Sequence, residues 1–410
     1  MRPRSLELLR RGDFRRLYFA VSVSELGDAF HYIALMWIAL LKGGPLGVIA
    51  VRLADSIPAL VFGFHGGIAA DRFNRKRMMI AADLVRAVVL IPVAAAGLAG
   101  RLPLWGLVAA AFVLETATSY FAPAYNAMVP ALVDRANVQE ANGLIGATTN
   151  ALSIGGWAAA AGLLAFTPIS AFFALNSLSF FLSAAFIAGI HPRDGGVRAS
   201  EEPPRLRPAL TAMRPMPLLT SAVIVLGVSV TISAGTWIAG VPELVRSVIG
   251  KGAGGFSIVM VGYAAGSIAV GSLLARYPVQ NKARASLLSW ILYLPAYGLF
   301  AVSASLPVAV AAAFIAGLGQ SAALILLTSA AQEDVADEVL GRVMGVISLV
   351  HRGGHATGLI LMAPLFAIFA PPAIFAGAAV AIPLAGMTGF VFARIAESRR
   401  EAAAAIRQFD

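Results

Sequence analysis

The chain has no cysteine, so disulfides, thiol nucleophiles and thiolate metal sites are all excluded. Charge is scarce too. Only 13% of the 410 residues are Asp, Glu, Lys or Arg, 59% are hydrophobic, and the mean hydropathy is +0.81. That leaves too little polar surface to cover a soluble globule. His-Glu-x-x-His, Gly-x-x-x-x-Gly-Lys-Ser/Thr and dinucleotide glycine turns are absent, so no enzyme class is indicated, no cofactor is expected and ATP does not drive the protein directly. The apolar runs are long and uninterrupted rather than alternating, which selects spanning helices over a barrel. These features imply an all-α polytopic membrane protein.

With about 20 apolar residues per crossing, twelve segments qualify: 17–41, 46–69, 78–99, 103–127, 139–166, 168–190, 216–241, 254–275, 284–304, 306–331, 342–369 and 371–394. The first follows a run containing Arg2, Arg4, Arg10, Arg11, Arg15 and Arg16. Nothing after it resembles a cleavage site, so an uncleaved span is expected. The net charge of +10 sits in short loops rather than on one face of a domain, which argues for membrane orientation and against nucleic acid. The N-terminus and alternate loops hold 24 of the 31 basic residues, the opposite side holds Lys42, Arg101, Arg246 and Lys251, and Arg52, Arg86 and Arg352 fall inside spans. Both termini are therefore expected in the cytoplasm.

The single long polar stretch, His191 to Pro217, reads as a flexible linker. The expected organisation is a six-helix bundle over 1–190, a linker over 191–215, a second bundle over 216–394 and a tail over 395–410. The halves are related in sequence. Gly67-x-x-x-Asp71-Arg72 recurs 204 residues later as Gly271-x-x-x-Ala275-Arg276, each after the second span of its half. Val129-Pro130-Ala131-Leu132-Val133-Asp134 and Ala331-Gln332-Glu333-Asp334-Val335 are related more weakly. Parallel repeats of this kind imply two pseudo-symmetric bundles with a substrate site between them near mid-bilayer.

The densest charge run between apolar segments, Gly67-Ile68-Ala69-Ala70-Asp71-Arg72-Phe73-Asn74-Arg75-Lys76-Arg77, resembles the loop motif between spans two and three of the major facilitator superfamily, with Asn74 where that family usually has Gly. Met78-x-x-x-x-Asp83-x-x-Arg86-Ala87 is similar to the start of span three in its twelve-span drug-efflux branch, which includes macrolide and enterobactin-type siderophore exporters. Leu26-Gly27-Asp28, Tyr120-Phe121-Ala122-Pro123-Ala124, Ala141-Asn142-Gly143-Leu144 and Gly341-Arg342-Val343-Met344 resemble the same branch in order. There are departures. Gly155-Gly156 stands where proton-coupled exporters carry Gly-Pro, and span four offers Glu115 where drug antiporters often have Arg. The resemblance implies alternating access by two rocking bundles in a bacterial inner membrane, as a monomer acting on a small-molecule substrate and protons within the lipid bilayer.

Asp71 is expected to act as a latch, set against the N-terminal dipole of a helix that begins near Arg342. Arg72, Arg75 and Lys76 are expected to pair with Asp83 and lipid headgroups; alternatively the basic residues only enforce topology. A charge at the bilayer centre costs about 2.5–3.5 kcal/mol on insertion scales. Those inside spans are therefore functional candidates: Glu25, Asp28, Arg52, Asp55, Glu115 and Arg352. Glu25 and Asp28 share a helical face with His31 or Tyr32, and Arg52 and Asp55 have the same spacing. A poorly hydrated carboxylate takes up a proton more readily, which points to Asp28 or Glu115 as the proton carrier. A static pair of Arg52 with Asp28 or Asp55, or of Asp55 with Arg352, is the competing reading. His351 and His355 lack a third ligand, so no metal site is expected. Arg352 offers a partner for an anionic substrate group, and Tyr32, Trp37, Trp157 and Trp237 offer stacking surfaces.

Overall fold

The computed structural model describes residues 7–134, 137–191 and 206–406, and every regular element among them is helical. Helices satisfy each backbone N–H and C=O within the segment, which hydrocarbon surroundings demand. The first five are α1 (Gly12–Arg72), α2 (Arg75–Leu98), α3 (Leu104–Leu132), α4 (Val138–Leu163) and α5 (Ala171–Ala188). A short α6 (Leu206–Met213) precedes α7 (Pro217–Ser247), α8 (Ala253–Arg276), α9 (Lys282–Ser289) and α10 (Tyr293–Val302). A 3-10 turn, Trp290–Leu292, joins the last two, and α11 (Leu306–Asp334), α12 (Asp337–Ile368) and α13 (Pro371–Ile406) complete the chain.

Nine helices among the described residues are long and apolar enough to cross a membrane, and the twelve expected segments do not map onto them one to one. The first two segments share α1, whose 61 residues would stretch roughly 90 Å if straight. They do not run straight. Gly44 breaks the helix at φ 60°, ψ −156°, a conformation open to a residue without Cβ, and Pro45 follows. A Cβ built on Gly47 would stand 2.5 Å from the Ala39 carbonyl eight residues back, so the chain folds over on itself here. α4 and α12 match the fifth and eleventh expected segments in position but are not among the nine. Thr148, Thr149 and Asn150 break the apolar run of one, and His351, Arg352 and His355 that of the other.

Two boundaries differ from expectation. Residues 192–205 of the anticipated linker lie outside the described residues, and 206–213 form a short helix. α13 continues to Ile406, so much of the anticipated tail extends the last helix.

The chain divides into two compact units, Met1–Glu201 and Glu202–Asp410. In unit 1, α1 packs on α3, α4 and α5, and α2 on α3 and α5. In unit 2, α7 packs on α12 and α13, α8 on α11, and α10 on α11 and α13. Taking α1 as two rods, the same partners are used in both. The helix ends repeat as well. α1 ends at Arg72 and α8 at Arg276, the arginines of the two related motifs. After each, an asparagine caps the next helix: Asn74 Oδ1 accepts from Arg77 N at 3.0 Å, and Asn281 Oδ1 from Arg284 N at 2.9 Å. Each satisfies one of the donors a helix start leaves over, which gives Asn74 a reason to replace the family's glycine.

α8 and α11 approach backbone to backbone. A Cβ at Gly266 would run into the Phe314 carbonyl, and one at Gly317 into the Tyr263 carbonyl and, at 3.1 Å, Ser267 N. By contrast, Gly271 faces open space. Gly317→Ala is therefore expected to cost about 1–3 kcal/mol through overpacking, seen as a lower thermal midpoint of the solubilised protein, while Gly271→Ala leaves that midpoint nearly unchanged.

Candidate functional site

α5 is Phe-rich, yet it carries Asn176, Ser177, Ser179 and Ser183, all buried. Their intervals of one, two and four residues spread them over more than one helix face, toward the two helices α5 packs against. Toward α1, Asn176 Nδ2 donates to Asp28 Oδ1 at 3.0 Å, and Ser179 Oγ donates to Asn176 Oδ1 at 2.9 Å. Toward α2, Ser177 Oγ donates to the Ala87 carbonyl at 2.7 Å and Ser183 Oγ to Asp83 Oδ2 at 2.7 Å. The other oxygen of Asp83 accepts from Arg86 Nη2. Both members of this ion pair are buried, and the Arg86 guanidinium lies between the Phe121 and Phe180 rings, 4.6 and 4.2 Å from their centroids. Burial costs a cation its hydration, and two ring faces return part of it.

The acids and aromatics of α1 divide between two neighbours rather than sharing one face. Glu25 accepts from Ser153 of α4, and Tyr32 meets Trp157 of α4 at 6.0 Å between centroids. Asp28 turns to α5, as does His31, whose ring lies 5.3 Å from that of Phe173. Of the static pairs considered for Arg52, the structure contains the one with Asp55: Nη1 to Oδ2 is 2.5 Å, one helical turn apart and half-buried. Glu115 sits half-buried midway along α3.

Asp83 was expected to meet the basic loop and does not. It lies two turns inside α2, where Arg86, three residues on, is the nearer cation. Arg75 donates instead to the Ala70 and Ala127 carbonyls at 3.3 Å each, and Lys76 to the Ile190 carbonyl at 2.8 Å. These bonds tie the loop to the ends of α3 and α5. Asp71 and Arg72 are exposed at the end of α1, and Gly67 has open space beside it.

Unit 2 is built differently. Tyr293, Tyr297, Phe300 and Phe375 form a buried aromatic cluster, with centroid separations of 4.8 Å for Tyr293–Tyr297 and for Phe300–Phe375. Trp237 joins it through Tyr263 and Phe300, and Trp37 is likewise buried within unit 1. Arg342 and Arg352 are exposed on α12, and the rings of His351 and His355 meet edge to face at 4.8 Å. Among the described residues, no group of three His, Cys, Asp or Glu could hold a metal ion.

The sequence reading did not single out Asn176 or the α5 serines. Their signal was present as polar residues at helical spacing inside an otherwise apolar span. The buried pair yields a test. Removing one partner of such a pair costs about 3–5 kcal/mol by stranding a charge, whereas neutral replacement of both costs much less. Arg86→Gln alone is therefore expected to lower the folded yield and thermal midpoint sharply, and Asp83→Asn/Arg86→Gln to restore most of both.

Comparison with known proteins agrees with this architecture. The family model described as Major Facilitator Superfamily matches residues 17–359. An uncharacterized MFS-type transporter of Bacillus subtilis (strain 168), YfiS, is 30% identical over 195 residues, 47% of this chain and 45% of that protein. Macrolide efflux protein A of Streptococcus pyogenes is 30% identical over 121 residues, 29% of this chain and 30% of its own. The chain thus spans less than half the length of either relative. In fold, the crystal structure of the nucleoside transporter NupG is similar at a TM-score of 0.70 and 14% identity, covering 92% of this chain and 98% of that one. With the matched family model running over most of its length, the chain belongs to the major facilitator superfamily of membrane transporters.

Proposed function

We propose that the protein exports amphipathic or lipophilic small molecules, of macrolide or siderophore-like character, in exchange for protons. The observation that carries this reading is the way the acids of α1 and α2 are held. Asp55 and Asp83 are bonded to arginines, so protonating either would strand a cation in a poorly hydrated place. The hydrogen-bond partners of Glu25 and Asp28 are neutral, Ser153 and Asn176. Those acids can gain and lose a proton without leaving a bonded cation behind, which suits a carrier that cycles between charge states. Asp28 and, on α3, Glu115 are the proposed proton sites. The likeness to macrolide efflux protein A supports both the direction of transport and the substrate class.

Glu25, Arg52, Asp55 and Arg352 are assigned to the substrate or coupling cavity. Gly67, Asp71, Arg72, Arg75, Lys76, Asp83 and Arg342 are assigned to gating, with Asp83 acting inside α2 through Arg86. The 24 basic residues on one side against four on the other support an orientation with both termini in the cytoplasm, and the proposed state is a monomer in the bacterial plasma membrane.

Flux in proteoliposomes under an imposed pH gradient, with a radiolabelled macrolide as probe, tests the function. Proton-coupled extrusion is expected, lost in Asp28→Asn or in Glu115→Gln, whichever is the coupling site. Full gradient-driven transport by both variants would refute the carboxylate assignment. Accumulation with protons would mark an importer, gradient-independent lipid movement a flippase, and no movement of any kind a sensor or scaffold. Orientation has its own test, made clean by the absence of native cysteine. A Cys replacing Phe73 should be shielded from an impermeant maleimide added to intact cells, and one replacing Gly100 should be labelled.

A further inference from the structure

We infer that Asn176 is the positioning residue that sets how tightly Asp28 holds its proton, acting through a side-chain amide locked in one orientation. The inference rests on the reading of Asp28 as a proton site and adds to it a residue on a different helix. Asn176 is 0% exposed. Its amide has two ends of opposite character, and which one faces Asp28 decides the sign of the effect. The surroundings fix it. Ser179 Oγ lies 2.9 Å from the amide oxygen and 2.8 Å from the Asn176 backbone carbonyl and shares its one proton between them, while the Asp28 carboxylate accepts only from the NH2 end. The oxygen is thereby occupied, and the NH2 points at Asp28 Oδ1, 3.0 Å away.

Space for this arrangement comes from Gly27, the residue before Asp28. A Cβ there would collide with both Ser179 Oγ and Asn176 Oδ1, so α5 presses its polar pair flush against α1 only because position 27 has no side chain. An NH2 donor directed at a carboxylate favours the charged form. Asn176 thus bonds better to the charged form of Asp28 than to the neutral one.

Other charges also reach this place. Glu25 lies one turn away on α1, and Asp83 and Arg86 lie on α2. α3 and α4 carry one acid each, Glu115 and Glu140, and α5 carries none. Asn176 differs from all of these in being bonded directly to Asp28, so its removal should be felt by Asp28 before any other group.

The test needs no transported substrate. The purified full-length chain in liposomes is titrated with acid while the protonated-carboxyl band is followed by infrared difference spectroscopy, with Asp28 assigned by the band that Asp28→Asn removes. Loss of one charge-assisted hydrogen bond corresponds to a shift of about one pH unit. In Asn176→Leu, close to isosteric, the Asp28 midpoint is expected to rise by that amount, a roughly tenfold gain in proton affinity. Ser179→Ala, which leaves Asp28 and Asn176 intact but loosens the amide, should move it the same way by less, and serves where Asn176→Leu does not fold. A midpoint unmoved, or lowered, in a folded variant would overturn the inference. The coupling reading is judged separately. If Asn176→Leu shifts the midpoint yet Asp28→Asn still transports against a gradient in the flux assay, the positioning role stands and the proton carrier is another group.

Discussion

A charge kept from water must be answered from within the protein, and unit 1 is arranged around two kinds of answer. Asp55 and Asp83 each take an arginine three residues away on the same helix, Arg52 before the one and Arg86 after the other, a local solution that any helix provides. Glu25 and Asp28 take neutral donors from other helices, Ser153 on α4 and Asn176 on α5. The first kind sets a cation beside its acid. The second sets only a neutral donor there.

This division gives α5 a larger part than its composition suggests. It bonds to α1 through Asn176 and to α2 through Ser177 and Ser183, and its C-terminal end receives Lys76 from the basic loop and, through His191 N, meets Asp13. One helix thus touches the Asp28 carboxylate, the Asp83–Arg86 pair and the charged loop. Unit 2, whose helices pair in the same pattern, fills the corresponding interior with aromatic rings instead. Duplication preserved the packing scheme while the chemistry inside diverged, as expected where the fold is set by helix pairing and activity by a few side chains.

Much of the architecture was legible in the sequence because hydrocarbon imposes a strong pattern. Apolar runs marked the helices, and the repeat of Gly67 to Arg72 in Gly271 to Arg276 marked the same helix end in both units. The Arg52–Asp55 pair was among the static pairs the sequence allowed, and its three-residue spacing is the one the helix brings together. Inter-helix partners were less legible. Asp83 has cations on both sides in sequence, and only the turn of α2 decides for Arg86 over Lys76. Nor could composition reveal that Glu25 and Asp28, three residues apart, would turn to different neighbours. That depends on where α4 and α5 lie around α1. The span count was blurred for a different reason: the fold at Gly44 needs no polar loop, and α4 and α12 give up apolar character to polar side chains.

The glycine seats on α8 and α11 carry a mechanical consequence. Because Gly266 receives the carbonyl of Phe314 while Gly317 receives that of Tyr263, each rod carries a notch for the other, like a pair of keyed beams. Sliding along the common axis would drive both carbonyls out of their notches at once, so the two helices can only travel as one plate.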